Sequence, residues 1–132
     1  MNFDLSQDQH DIKRTARDLL TARSGFDRVR AAAEGGGEDA ALWSELCELG
    51  WPGIAVSEEH GGSGLGMVEL AVITEELGFA CAPVPFLGTA LAATVLEAAG
   101  TSEQQEQWLE SLATGRRAGA VASGSRDAVV PG

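Results

Sequence analysis

The sequence has few positive charges, and those few are unevenly placed. Nine lysine and arginine residues stand against 20 aspartate and glutamate residues, and none of the nine lies between Ala31 and Gly115. This deficit argues against a nucleic-acid-binding protein, because phosphate backbones are bound mainly through lysine and arginine. It also leaves that long segment without a side-chain cation for a phosphate-rich ligand. Such phosphates must contact backbone N–H groups or residues elsewhere.

Cysteine and histidine are also scarce. The two cysteines, Cys47 and Cys81, have no Cys-x-x-Cys spacing. This indicates neither a disulfide framework nor a zinc site, so we predict reduced, buried thiols. The two histidines, His10 and His60, are predicted to lie at the surface. So small a set gives no support for a metal cluster or a Ser-His triad, and we predict no metal site.

Long apolar runs and targeting signals are missing as well. No apolar stretch reaches the roughly 20 residues that a membrane-spanning helix requires. Residues 1–4 lack the basic segment and the apolar run of a signal peptide. We therefore expect no membrane span and a soluble, cytoplasmic protein.

The composition favours helices. Tyrosine is absent and only four phenylalanines and three tryptophans occur, whereas alanine and leucine are abundant. Such a composition is typical of packed helices rather than β-sheets. A length of 132 residues corresponds to one ordinary domain. We predict an all-α fold, an orthogonal or up-down bundle of four to six helices.

Apolar periodicity and helix-end residues indicate where the helices lie. The first predicted helix begins after Ser6, whose side chain can form a capping box with Gln9. Gly25 is expected to interrupt or kink this helix before it ends near residue 33. The other helices are predicted over residues 39–49, 67–77, 86–99 and 102–114, the last opened by a second capping box from Ser102 and Gln105.

The composition changes after Gly115. A basic doublet, Arg116-Arg117, is followed by small residues that a β-strand tolerates. Fewer than 20 residues remain, too few for an independent sheet. We therefore predict a domain over residues 1–115. Residues 116–132 are either the first segment of a missing β-domain or a flexible terminus, and the sequence leaves both open.

Two features could carry chemistry, and each has a plainer explanation. The glycine-rich loop over residues 61–66 lacks dinucleotide-binding spacing, because Met67 stands where a glycine is needed. We interpret it as a tight turn or a close packing contact. The acidic pairs Glu58-Glu59 and Glu75-Glu76 could supply a general base, but a solvated or capping role is favoured for both. The helix that carries the second pair is apolar around most of its circumference, so we expect it to be central and largely buried.

Several short motifs follow one another in a characteristic order, and together they are specific although each alone is weak. They are Leu5-Ser6-x-x-Gln9, Trp43-x-x-Leu46-x-x-Leu49-Gly50-Trp51, Glu58-Glu59-His60-Gly61-Gly62-Ser63-Gly64, Glu75-Glu76-Leu77-Gly78 and Gln107-Trp108-Leu109. Over nearly its whole length, the chain resembles the N-terminal helical domain of the acyl-CoA dehydrogenase family.

The resemblance implies an FAD-dependent enzyme of three parts that oxidises an acyl-CoA or acyl-carrier thioester and forms homo- or hetero-oligomers. In that family the catalytic base lies in the C-terminal part, so no catalytic residue is expected in this chain. Most FAD contacts lie in the absent parts, so FAD is expected only in the complete enzyme and no cofactor-binding residue is assigned. The N-terminal domain usually contributes one wall of the acyl pocket, which here matches Pro85, Phe86, Leu87, Ala90 and Leu91.

Three functions stay open. The first is a fragment of an FAD-dependent acyl-CoA dehydrogenase that is inactive alone and shapes the acyl tunnel. The second is a non-enzymatic helical subunit that pairs with a full-length dehydrogenase. The third is an acyl-thioester binding module, which the lack of cations disfavours. The wall residues could equally be ordinary core, since an apolar stripe at helical spacing is usually packing. The run at residues 120–124 departs from the family where the middle domain should open.

Overall fold

The structure, a computed structural model, describes residues 4–123. No residue in this range lies in a β-strand, which confirms the all-α class. The predicted start of a β-domain falls partly on residues 124–132, outside the described residues. The six helices are α1 (Gln7–Arg23), α2 (Phe26–Gly35), α3 (Ala40–Glu48), α4 (Met67–Phe79), α5 (Phe86–Ala99) and α6 (Ser102–Ala113), with short 3₁₀ turns at Trp51–Gly53 and Glu58–His60.

The start of the first helix is as predicted. The backbone N–H of Gln9 donates to Ser6 Oγ at 3.2 Å, and that of Ser6 donates to Gln9 Oε1 at 2.9 Å. The long first helix is indeed interrupted: Ser24 caps the end of α1, and Gly25 is the N-cap of α2. Helix α2 has no buried residue and ends at Gly36, which has a φ of 71°.

The capping box of α6 lies one residue earlier than predicted. Thr101 and Gln104 form it, with N–O distances of 2.9 and 3.3 Å, because the threonine hydroxyl is itself a suitable N-cap group. Gln105 has a different role. Its side-chain amide donates to the carbonyl oxygens of Leu96 and Glu97, at 3.1 and 2.9 Å, and so closes the end of α5.

The helices pack as two pairs, α1 against α4 and α5 against α6. Two clusters of buried side chains correspond to this division. The larger lies under α1, α3, α4 and the start of α5, and the smaller lies between α5 and α6. The larger cluster consists of Ala16, Leu20, Leu42, Leu46, Trp51, Ile54, Leu70, Ile73, Leu77, Phe86 and Ala90, and the smaller of Val56, Ala93, Leu109, Leu112 and Ala113.

The segment over residues 51–56 joins the two clusters. It is buried although it is not α-helical, so its backbone polar groups need partners inside the protein. The glycine-rich loop provides them. The N–H of Ser63 donates to the carbonyl of Gly53 at 2.9 Å, that of Gly64 to Val56 at 2.8 Å, and that of Leu65 to Ile54 at 2.9 Å.

This arrangement requires backbones to approach closely. A Cβ added to Gly62 would lie only 2.1 Å from the carbonyl oxygen of Val56, and one added to Gly53 would lie 2.8 Å from that of Ala113. The carbonyl oxygen of Val56 also accepts the N–H of Gly64, so displacing it would break that hydrogen bond. The interpretation of the loop as a tight, packed turn is therefore supported by geometry.

Two expectations about burial need correction. Helix α4 is less enclosed than predicted, because Met67 and Val68 in its first turn are 57% and 48% exposed. Cys47 is half-buried, and its burial raises the pKa of its thiol, but Cys81 is exposed. Both cysteines are free thiols, as predicted.

We predict that Gly62→Ala lowers the free energy of unfolding by about 3 kcal/mol or more, since the new methyl group must displace backbone. Gly78→Ala is the matched control. Gly78 is exposed on α4, with nothing within 4 Å of an added Cβ, so the change should stabilise the helix by about 0.5–1 kcal/mol. Urea unfolding monitored by circular dichroism measures both. Equal changes in the free energy of unfolding for the two variants would contradict the close approach of Gly62 to the carbonyl of Val56.

Candidate functional site

An exposed apolar stripe runs along α5. Leu87, Leu91 and Val95 are 54%, 43% and 49% exposed and follow one another at intervals of four residues, so they lie on one face of the helix. No residue of α5 carries a charge except Glu97, near its end. An apolar face of this kind on the surface of a folded domain commonly marks a binding or interaction site.

The opposite face of α5 belongs to the core. Phe86 and Ala90 are 2% and 3% exposed and lie in the larger cluster. Pro85, half-buried, immediately precedes the helix. Of the five predicted wall residues, the structure thus brings Leu87 and Leu91 together on the open face, and it places Phe86 and Ala90 behind them.

The stripe begins at a cleft of about 210 Å³ between the end of α4 and the start of α5. The cleft is lined by apolar or small side chains, and the Cys81 thiol is its one titratable group. This lining can hold an apolar chain but offers no carboxylate or imidazole for proton transfer. Its residues are Thr74, Leu77, Gly78, Cys81, Ala82, Val84, Phe86 and Leu87.

Glu76 differs from its prediction, because it is neither solvated nor a cap. It is 1% exposed, and Arg17 of α1 bonds to both of its carboxylate oxygens, with Nη2 at 2.9 Å from Oε1. The hydrogen bond to Glu76 raises the pKa of Arg17. The sequence did not reveal this partner, which stands 59 residues away. A carboxylate held by a guanidinium in this way is a structural ion pair and is not free to act as a base.

The other acidic candidates are on the surface. Glu75 accepts a hydrogen bond from Lys13 Nζ at 2.9 Å, which lowers the pKa of this carboxyl group. Glu58 and Glu59 are exposed, as predicted. None of these carboxylates lines the cleft beside α5. The described residues therefore bring no general base to the apolar stripe.

The glycine-rich loop does not fit the pyrophosphate of a flavin. It has no amide left for a pyrophosphate, because the N–H groups of residues 61–65 all donate to backbone carbonyls within residues 53–58. The N–H of Gly66 donates to Glu69 Oε2 at 2.9 Å. No lysine or arginine follows until Arg116. Phosphate groups need such donors, so the glycine-rich loop offers no site for a flavin pyrophosphate.

Metal and membrane sites are not found either. Within residues 4–123, no three histidine, cysteine, aspartate or glutamate side chains are grouped as metal ligands. His10 is exposed as predicted, whereas His60 is half-buried. None of the described helices combines the length and the apolar character needed to cross a bilayer.

A second groove was not predicted. It has a volume of about 380 Å³ and lies where α1, α2 and the end of α4 meet. Phe26 and Phe79 border it and are 72% and 70% exposed, and the guanidinium of Arg17 lies 3.9 Å from the ring centre of Phe79. Phe79 lies beyond the predicted end of its helix at residue 77, and no sequence pattern links it to Phe26, so the sequence gave no signal for the groove.

Val95 was also missed, although a signal for it exists. The spacing of Leu87, Leu91 and Val95 repeats every four residues, and α5 contains more apolar residues than one buried face needs. A helix with two apolar faces predicts a second contact beyond its own core.

The chain is similar in sequence to known acyl-CoA dehydrogenases. A family model described as "Acyl-CoA dehydrogenase, N-terminal domain" matches residues 6–116. The chain is 38% identical over 119 residues to acyl-CoA dehydrogenase IpdE2 of Mycolicibacterium smegmatis, an alignment that covers 89% of this chain and 37% of that protein.

Two solved structures are also similar to this chain. One is described as the Tcur3481-Tcur3483 steroid ACAD G363A variant (34% identity, TM-score 0.78, 85% of this chain and 31% of that chain). The other is the ChsE4-ChsE5 complex of Mycobacterium tuberculosis (28% identity, TM-score 0.82, 89% and 33%). This chain therefore spans about a third of the length of the relatives it matches.

We predict that the two faces of α5 respond differently to substitution. Leu87→Gln and Leu91→Gln should change the free energy of unfolding by less than about 1 kcal/mol, because about half of each side chain is already exposed to water. Phe86→Ala should cost about 3–5 kcal/mol, because it opens a cavity in the core. Chemical denaturation of the three variants measures these values. A large loss with either glutamine would show that the stripe is packed, not exposed.

Proposed function

Because the chain belongs to the acyl-CoA dehydrogenase family, we propose that it forms the N-terminal helical part of an FAD-dependent enzyme. The proposed reaction is the α,β-dehydrogenation of an acyl thioester, for which the flavin serves as hydride acceptor. The enzyme's base and its flavin site lie outside residues 4–123, which is why this segment alone is expected to be inactive and to retain no FAD.

In this proposal the exposed face of α5 is one wall of the acyl pocket. The observation that carries it is the uncharged stripe of Leu87, Leu91 and Val95, which no described residue covers. An acyl chain laid against these side chains removes apolar surface from water on both partners, which favours binding by about 25 cal/mol per Å² buried. Phe86 and Ala90 support the wall from behind, and Pro85 sets where the helix begins.

The thioester carrier is expected to be held elsewhere. Coenzyme A carries several phosphates, and the domain has no lysine or arginine between residues 31 and 115 to pair with them. The phosphates of the carrier are therefore expected to contact residues outside this range or backbone N–H groups. A cytoplasmic location stays a prediction.

We also propose that the complete protein is an oligomer with dehydrogenase subunits. Two similar structures, Tcur3481-Tcur3483 and the ChsE4-ChsE5 complex, each pair two proteins. They support a hetero-oligomer for this chain as well. The first is described as a steroid ACAD, so a polycyclic acyl group is a substrate to test beside straight chains.

The alternative is a non-enzymatic helical subunit that docks on a full-length dehydrogenase. It is favoured by the fact that the domain has its own core, joined by residues 51–56 and closed by caps on its helices. In this version the stripe on α5 is a protein interface instead of an acyl wall. A purified flavoprotein in which this chain is a separate polypeptide would favour it.

The acyl wall is tested by Leu91→Trp in the flavoprotein that contains this chain. A larger side chain in the wall should lower kcat/KM for long or polycyclic acyl thioesters by about tenfold or more and affect short ones little. Ala31→Trp is the control, since it adds the same side chain to α2, which has no buried residue. A loss that is equal for all acyl groups, or no loss at all, would count against the wall.

A further inference from the structure

The backbone after α6 is held tightly against the domain. Gly115, with a φ of 69°, ends the helix, and a Cβ there would lie 2.1 Å from Cys47 Sγ. The N–H of Arg117 donates to the carbonyl of Ser111 at 3.0 Å, and its guanidinium lies 5.0 Å from the ring centre of Trp108. We call residues 115–120 the connector.

Thr89 of α5 binds the connector directly. Its side chain is fully buried, its hydroxyl donates to the carbonyl of Pro85 at 2.6 Å, and the hydroxyl oxygen accepts from the N–H of Gly119 at 3.1 Å. The hydroxyl thus acts as donor and acceptor at once. The partly buried N–H of Gly119 thus has a hydrogen-bond acceptor within the protein.

Two glycines make this contact possible. A Cβ on Gly88 would lie 2.6 Å from the carbonyl oxygen of Gly119. A Cβ on Gly119 would lie 2.7 Å from the Cβ of Ala92 and 3.0 Å from Leu112 Cδ2. The backbone of the connector therefore lies directly against the backbone of α5. The distance between them permits only glycine at positions 88 and 119.

We propose that the connector is a fixed element and that Thr89 is the positioning residue that holds it. Thr89 stands between Leu87 and Leu91 in sequence but on the buried side of α5. The stripe and the point where the chain leaves the domain are thus parts of one rigid body. Resting on the proposed function, the consequence is that Thr89 fixes the acyl wall relative to the part of the enzyme that follows.

The fixed connector can be tested in this chain by amide hydrogen exchange at Gly119. Thr89→Val keeps the side-chain shape but removes the hydroxyl, and we expect exchange at Gly119 to become about tenfold faster. Thr89→Ser keeps the hydroxyl and should restore protection. Two results would overturn the proposal. One is an unprotected amide at Gly119 in the unmodified protein, and the other is the same exchange rate at Gly119 in Thr89→Val and Thr89→Ser.

A second variant makes the same test without touching the hydroxyl. Gly88→Ala should expose the bond after Arg117 to trypsin, and cleavage there should become about tenfold faster, while helix content stays the same by circular dichroism. Gly78→Ala, on open helix surface, is the control and should leave cleavage at Arg117 unchanged. Unchanged cleavage in Gly88→Ala would contradict the close contact with Gly119.

The positioning role is tested in the complete flavoprotein. Thr89→Val should lower kcat several-fold with a smaller change in KM, because the acyl group is bound but misplaced, and Thr89→Ser should rescue kcat. Equal kcat in the two variants would overturn this role. If the proposed function itself fails, no such activity exists, yet the exchange and cleavage results still stand, so the two failures are distinguishable.

Discussion

The buried segment over residues 51–56 is the constraint on which the rest of the domain depends. It crosses from the larger to the smaller cluster of core side chains, and its first turn contacts α3, α5 and α6. A buried, irregular backbone is costly unless its polar groups are paired. Here the glycine-rich loop pairs them, at contact distances that leave no room for a side chain on Gly62. The glycines could have indicated a nucleotide-binding loop, but here they let the loop pack closely against residues 53–56 and hydrogen-bond to their backbone.

The site follows from the two faces of α5. Phe86 and Ala90 anchor the helix in the core on one side, and Thr89 fastens the connector to it at the same level. The outer face carries Leu87 and Leu91, without charge and exposed among the described residues. In the proposed function this face is a wall that shapes a substrate, and such a wall must hold its position to well under an ångström. The burial of Phe86 and Ala90 and the hydrogen bond of Thr89 favour a fixed position of α5.

Much of the fold could be predicted from the sequence, because helix caps, glycine stops and apolar periodicity are local signals. The start at Ser6 and the break at Gly25 are examples. The interaction of Glu76 with Arg17 was not predictable, since the partner is distant in sequence and nothing in Glu75-Glu76 tells which carboxylate turns inward. The five residues of the proposed wall could be predicted from the sequence only as a set. Apolar periodicity predicts that α5 has two apolar faces. Which of these faces packs in the core depends on the positions of α4 and α6, which the sequence of α5 does not determine.

The most direct test is the mass and flavin content of the protein isolated from the cell that naturally produces it. We expect this sequence within a polypeptide several-fold heavier than 13.7 kDa that carries bound flavin and oxidises acyl thioesters. A 13.7 kDa polypeptide held in complex with a larger flavoprotein would favour the helical subunit instead. A free polypeptide of that mass, with neither flavin nor a flavoprotein partner, would contradict a role in acyl-thioester dehydrogenation.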